Sequence, residues 1–212
     1  MKRFLFVFAA LLLLLTATSA FADDLYPPSW RGQPGTTYQA WEFSTPNPIT
    51  APDVVNNPYG TPSAHAYPGT SQNWIDQWGG RQGMWPLSGT IEITIPNNPV
   101  PNPYKDIWVQ LTWAKQVQSS GPDVWEMNSG VHGTLVQQTA LSLTGYPSPN
   151  NYWYQSVYLI RLQPNPSWET VKIDGTIVVD EVVIDTICAP EPSSLLVISF
   201  GLAGLAAWRR KR

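Results

Sequence analysis

From residue 88 to residue 187, apolar and polar side chains alternate in one segment after another, and this alternation limits the possible folds more than any other feature of the chain. A strand points successive side chains to opposite faces, so period 2 marks a strand with one buried face and one wet face. Over 88–95, Ile91, Ile93 and Ile95 alternate with Thr90, Glu92 and Thr94. Over 106–115, Ile107, Val109, Leu111 and Trp113 fall on one face. Segments 133–143 and 152–162 read the same way, the second with Trp153, Val157 and Leu159 opposing Tyr154, Tyr158 and Ile160. Two further strands, 168–173 and 176–187, flank the turn dipeptide Asp174-Gly175. Upstream, 36–43 carries the β-branched and aromatic residues that suit a strand.

No segment between the two ends carries an apolar stripe at helical spacing. With 21 Pro, 11 Trp and only 13% charged residues, the composition also argues against a helical bundle. The expected fold is all-β: a single antiparallel β-sandwich, jelly-roll-like, whose last strand lies beside an early one. Prolines at 46, 48, 52, 58, 62 and 68 predict a long irregular segment over 46–69.

The ends obey different physics. Lys2 and Arg3 precede an apolar run over 4–15, then small residues, then Ala20-Phe21-Ala22. This is the layout of a signal peptide, with the small residues Ala20 and Ala22 at the cleavage site and Asp23 first in the mature chain. At the other end Pro190-Glu191-Pro192 interrupts regular structure, and 193–208 carries no charge. As a helix that stretch would span roughly 24 Å, close to the ~30 Å hydrocarbon core. Trp208 would sit at the interface, with Arg209, Arg210, Lys211 and Arg212 kept on the cytoplasmic side. The expected division is a signal peptide over 1–22, an extracytoplasmic domain over 23–188 and a sorting and anchor segment over 189–212.

Pro190-Glu191-Pro192, the short apolar stretch and the basic terminus together resemble the PEP-CTERM sorting signal recognised by exosortases. The resemblance implies a Gram-negative-type envelope and transient anchoring in the inner membrane. It also implies cleavage near Pro190-Glu191-Pro192 and release to the cell surface or extracellular matrix. The motif residues are then a recognition site for another enzyme. The implied partners are signal peptidase, an exosortase-type sorting enzyme and, for a time, the inner membrane.

Between the basic ends, 14 acidic residues face six basic ones, so the middle carries a charge of about −8. Such a surface repels phosphate backbones, and no nucleic-acid partner is expected. The single cysteine, Cys188, cannot form an intramolecular disulfide; an unpaired thiol or an intermolecular bond are the readings open to it.

The densest candidate site is Trp74, Asp76, Trp78, Arg81 and Trp85 around Gly79-Gly80. Aromatic faces stack on sugar C–H faces and charged groups bind hydroxyls, so this cluster has the chemistry of an extracellular polysaccharide site. The competing reading is that the indoles plug an edge of the sandwich. Catalytic residues are scarce. His65 and His132 lack paired-ligand spacing, and Glu42, Glu92, Glu126 and Glu169 do not single out the pair ~5–10 Å apart that glycosidases need. Asp174, Asp180, Glu181 and Asp185 could include ligands for a structural calcium. Adjacent strand residues such as Asp180 and Glu181 should face opposite ways, however, which favours solvated edge residues. No other metal or cofactor is expected. The leading expectation is a non-catalytic surface or matrix protein, followed by a carbohydrate-binding module and, last, a secreted glycoside hydrolase.

Overall fold

The computed structural model describes residues 23–69, 73–100, 102–116, 121–142 and 152–189. The signal segment and the tail from residue 190, with its expected membrane helix, lie outside them. Among the described residues every regular element is a strand, and the strands pair antiparallel in two sheets.

Numbered in chain order, the larger sheet runs β11 (Thr134–Ser142), β12 (Tyr152–Leu162), β8 (Tyr104–Lys115), β14 (Ile177–Ala189), β1 (Thr36–Trp41) and β3 (Val54–Asn56). β6 (Arg81–Leu87) takes the stretch of the β14 edge that β1 leaves open, and β5 (Ile75–Trp78) pairs with β6. The smaller sheet runs β10 (Val131–His132), β9 (Asp123–Glu126), β13 (Trp168–Asp174), β7 (Thr90–Pro96), β4 (Ser63–Tyr67) and β2 (Ile49–Thr50). The last strand does lie beside the first, from Thr36 opposite Ile187 to Trp41 opposite Val182.

The alternating residues bury the faces their spacing predicts. Ile91, Ile93 and Ile95 of β7 and Val171 and Ile173 of β13 share one apolar cluster with Ile107, Val109, Leu111 and Trp113 of β8. The inner faces of both sheets therefore feed one core. Each such side chain contributes roughly 1.5–3 kcal/mol on full burial. A second, smaller cluster of Met84, Ala114, Trp153 and Val178 lies on the other face of the larger sheet, with Ile75, Trp78 and Leu141 packed on it.

Two expectations need correction. The proline-rich segment is not irregular throughout, since it supplies β2, β3 and β4. All six prolines fall outside these strands, where a missing donor costs the ladder nothing. Ala64 and Ala66 of β4 then bury against β7, opposite Ile93 and Ile91. The acids of the last strand are also not edge residues. β14 is flanked by β8 on one side and by β1 and β6 on the other, and Asp180, Glu181 and Asp185 are all buried. A β-bulge between Val179 and Glu181 explains why the sequence misleads. The bulge inserts a residue and resets the alternation, so Val179 and Val182 both face the core.

At the far end of β14, Cys188 is buried and its thiol donates to Asn97 Oδ1 at 3.1 Å. Burial pushes that thiol up from its ordinary range.

Candidate functional site

The tryptophan-rich segment folds as a hairpin. Gly79 and Gly80 both have positive φ, 63° and 84°, which a two-residue turn between β5 and β6 requires and other residues resist. Strand alternation then sends neighbouring side chains of the hairpin to different faces, and the five candidate residues separate.

Trp85 turns inward and is buried, with no hydrogen-bond partner for its Nε1. Trp74, half-buried ahead of β5, donates from its Nε1 to the Phe43 carbonyl at 2.7 Å. These two indoles help line a cleft of about 680 Å³ with Pro46, Pro48, His65 and Tyr67. His65 and Tyr67 project from the same side of β4, and their rings lie 3.8 Å apart between centroids. Tyr67 is exposed at the mouth. Trp78 belongs to the opposite side of the hairpin, edge to face with Trp153 at 5.4 Å. Asp76 is exposed on β5, and neither Asp76 nor Trp78 is among the cleft's described lining. Two of the three candidate indoles therefore meet in a cleft. His65 and Tyr67 join them only because β4 pairs beside β7, and their SAHAY segment carries no signal for this beyond its alternation.

Arg81 does not reach the cleft. Its Nη1 donates to Asp180 at 2.7 Å, its Nη2 meets Asp23, and its guanidinium lies 5.3 Å from the Trp153 ring. A second arginine, Arg31, forks onto Asp185 at 2.5 and 2.6 Å and also pairs with Asp24. Burial pushes the carboxyls of Asp180 and Asp185 up to about 6, against the pull of these arginines. Asp180 and Glu181, expected to diverge, enter one network through Asp23, because the bulge breaks strict alternation. Asp174 stands apart on β13, accepting from Trp125 Nε1 at 2.8 Å.

The glutamates considered for catalysis are also dispersed. Burial would raise the Glu126 carboxyl, but hydrogen bonds from Ser129, Asn128 and Thr170 outweigh it and hold the group below its ordinary range. Glu169 is buried against Lys105. Glu92 lies on β7 near Lys172, at 4.0 Å. His132 Nδ1 lies 2.9 Å from Asp123, in the open. No Asp or Glu lines the cleft among the described residues.

Comparison with protein families finds the PEP-CTERM protein-sorting motif at residues 189–211. The match takes in Pro190, Glu191 and Pro192, the apolar stretch and Arg209, Arg210 and Lys211. Neither the curated proteins nor the solved structures compared with the chain gave a match.

Proposed function

We propose that this chain, which carries a PEP-CTERM motif and is exported for exosortase sorting, serves as a non-catalytic protein of the cell surface or extracellular matrix. One observation carries the reading. The motif begins at residue 189, where β14 ends, so a cut at Pro190-Glu191-Pro192 leaves every described strand in place. The tail can then act as a disposable anchor on a finished domain. That domain reads as a jelly-roll-like sandwich, supported by the shared core and by β14 lying beside β1.

The test is the intact mass of the protein in membrane and surface fractions. The membrane form should retain the tail, and the surface form should end near Pro190. Deleting 193–212 should send the protein to the medium without a membrane stage. A truncated chain still found in membranes would overturn the anchor role.

A second reading, binding of extracellular polysaccharide, is favoured by the cleft. An aromatic wall with the unpartnered Trp85 Nε1 behind it has the character of a sugar site. The lack of carboxylates in its described lining weighs against the hydrolase reading.

A further inference from the structure

Asp23 and Asp24 follow directly on Ala20-Phe21-Ala22, and the structure docks both on the larger sheet. Gln110 Nε2 donates to Asp24 at 2.6 Å, and the Tyr26 amide returns a bond to Gln110 Oε1 at 2.8 Å. Trp108 Nε1 donates to the Tyr26 carbonyl at 2.9 Å, and the Tyr26 and Thr139 hydroxyls meet at 2.7 Å. The carbonyl of Asp23 accepts from Gln155, and its carboxylate meets Arg81. Its backbone nitrogen donates to Glu181 Oε2 at 2.5 Å.

Glu181 is the odd member of this network. Arg31 serves Asp24 and Asp185, and Arg81 serves Asp23 and Asp180, so both guanidinium groups are committed elsewhere. The Glu181 residue is only 3% exposed and its Oε1 has no hydrogen-bond partner. Beside a neutral amide, its carboxyl is pushed up to about 9, first by burial and then by the charges of Glu42, Asp23 and Asp180. A buried carboxylate without a cation is strongly unfavourable.

We propose that hydrolysis of the Ala22–Asp23 bond supplies the missing cation: the new α-ammonium of Asp23 becomes the counter-ion of buried Glu181 and locks the mature domain. The proposal rests on signal peptidase cutting before Asp23. Water adds across the amide, its oxygen going to the Ala22 carbonyl carbon, which leaves as a carboxylate on the signal segment. The Asp23 nitrogen keeps the electron pair of the broken bond and takes up protons to become an ammonium, the ordinary state of an α-amine at neutral pH. The precursor cannot form this pair, because an amide nitrogen does not protonate. Full stability therefore arrives only once the protein has been processed.

The experiment uses the full chain, exported from cells and purified in detergent, with its N-terminus read by sequencing. Processed wild type is compared with a precursor retained by Ala22→Leu, and with processed protein whose α-amine has been selectively acetylated. Thermal unfolding is followed by tryptophan fluorescence. The processed form should melt at least about 4 °C above both blocked forms. In Glu181→Gln the three midpoints should converge. Equal midpoints for free and acetylated wild type would overturn the proposal, as would a gap that survives Glu181→Gln. A sequence starting anywhere but Asp23 would overturn the cleavage reading itself, which the melting data alone would not reveal.

Discussion

Lys105 of β8 and Glu169 of β13 lie 2.5 Å apart, Nζ to Oε1, and both side chains are fully buried. They come from different sheets, so a dry ion pair ties the layers together at the end where β14 runs into the sorting motif. Burial pushes the Glu169 carboxyl up to about 7 despite the nearby ammonium. Lys105→Met would strand the carboxylate and should cost about 3–5 kcal/mol in chemical denaturation at pH 8. The double variant Lys105→Met, Glu169→Leu should recover most of that loss, because an apolar pair of similar size has no charge to desolvate. A single variant as stable as wild type would show that the pair is energetically idle.

Stability should fall as pH rises from about 4 to 7. Glu169 is raised from 4.5 to about 7, and Asp180 and Asp185 from 3.8 to about 6. Across that window the native state holds protons that the unfolded chain has released, so unfolding becomes easier with each step upward. Each unit of difference is worth about 1.4 kcal/mol per group. Glu126 acts in the opposite sense: its lowered carboxyl stabilises above its unfolded value and that contribution is lost as pH drops through its folded value. The melting temperature should therefore be higher near pH 5 than at pH 8. A profile that is flat or rising between those points would contradict the assignment of these three acids.

Gly83→Ala should destabilise the domain by more than about 2 kcal/mol. Gly83 has φ +74°, and an added Cβ would lie 2.8 Å from the Phe43 carbonyl oxygen and 2.9 Å from Ser44 Cα. Both neighbours are backbone, so nothing flexible can yield. Gly130 is the control: its φ is +69°, but nothing lies within 4 Å of an added Cβ. Gly130→Ala should therefore cost only the left-handed strain, about 1–2 kcal/mol. Equal losses in urea titrations of the two variants would refute the close-approach argument.

The cleft reading predicts a split between its aromatic residues and those of the opposite face. Tyr67→Ala should weaken retention of the protein on an insoluble polysaccharide by roughly tenfold, about 1.4 kcal/mol of lost stacking, while leaving the melting temperature nearly unchanged, because Tyr67 is exposed. Trp78→Ala should do the reverse, lowering the melting temperature through the lost contact with Trp153 while retention persists. Undiminished retention in Tyr67→Ala would remove the cleft from consideration.

The six strands expected from alternation and the one expected from the β-branched and aromatic residues of 36–43 all form, with ends shifted by at most two residues; a long run of period 2 has only one way to bury its apolar face. The short strands β2 to β5, β9 and β10, and the longer β6, were not legible. β4 offers only SAHAY, whose two alanines become apolar face residues because β7 places isoleucines opposite them. The candidate site was half legible for a related reason. The spacing of Trp74, Trp78 and Trp85 revealed an aromatic cluster, but the faces were assigned by a two-glycine turn and by the sheet edge the hairpin joins.

The sequence by itself determined the strand class of the domain and the tail now matched as a sorting motif, because period 2 and a charge-free stretch ending in basic residues are local patterns. Only the tertiary structure decided the fate of the acids. Asp180, Glu181 and Asp185 look like a solvated edge, yet a single bulge and three flanking strands bury them among Asp23, Asp24, Arg31 and Arg81. Charges paired across more than fifty residues of chain leave no periodic trace, since their attraction depends on distance in space and on the water excluded between them.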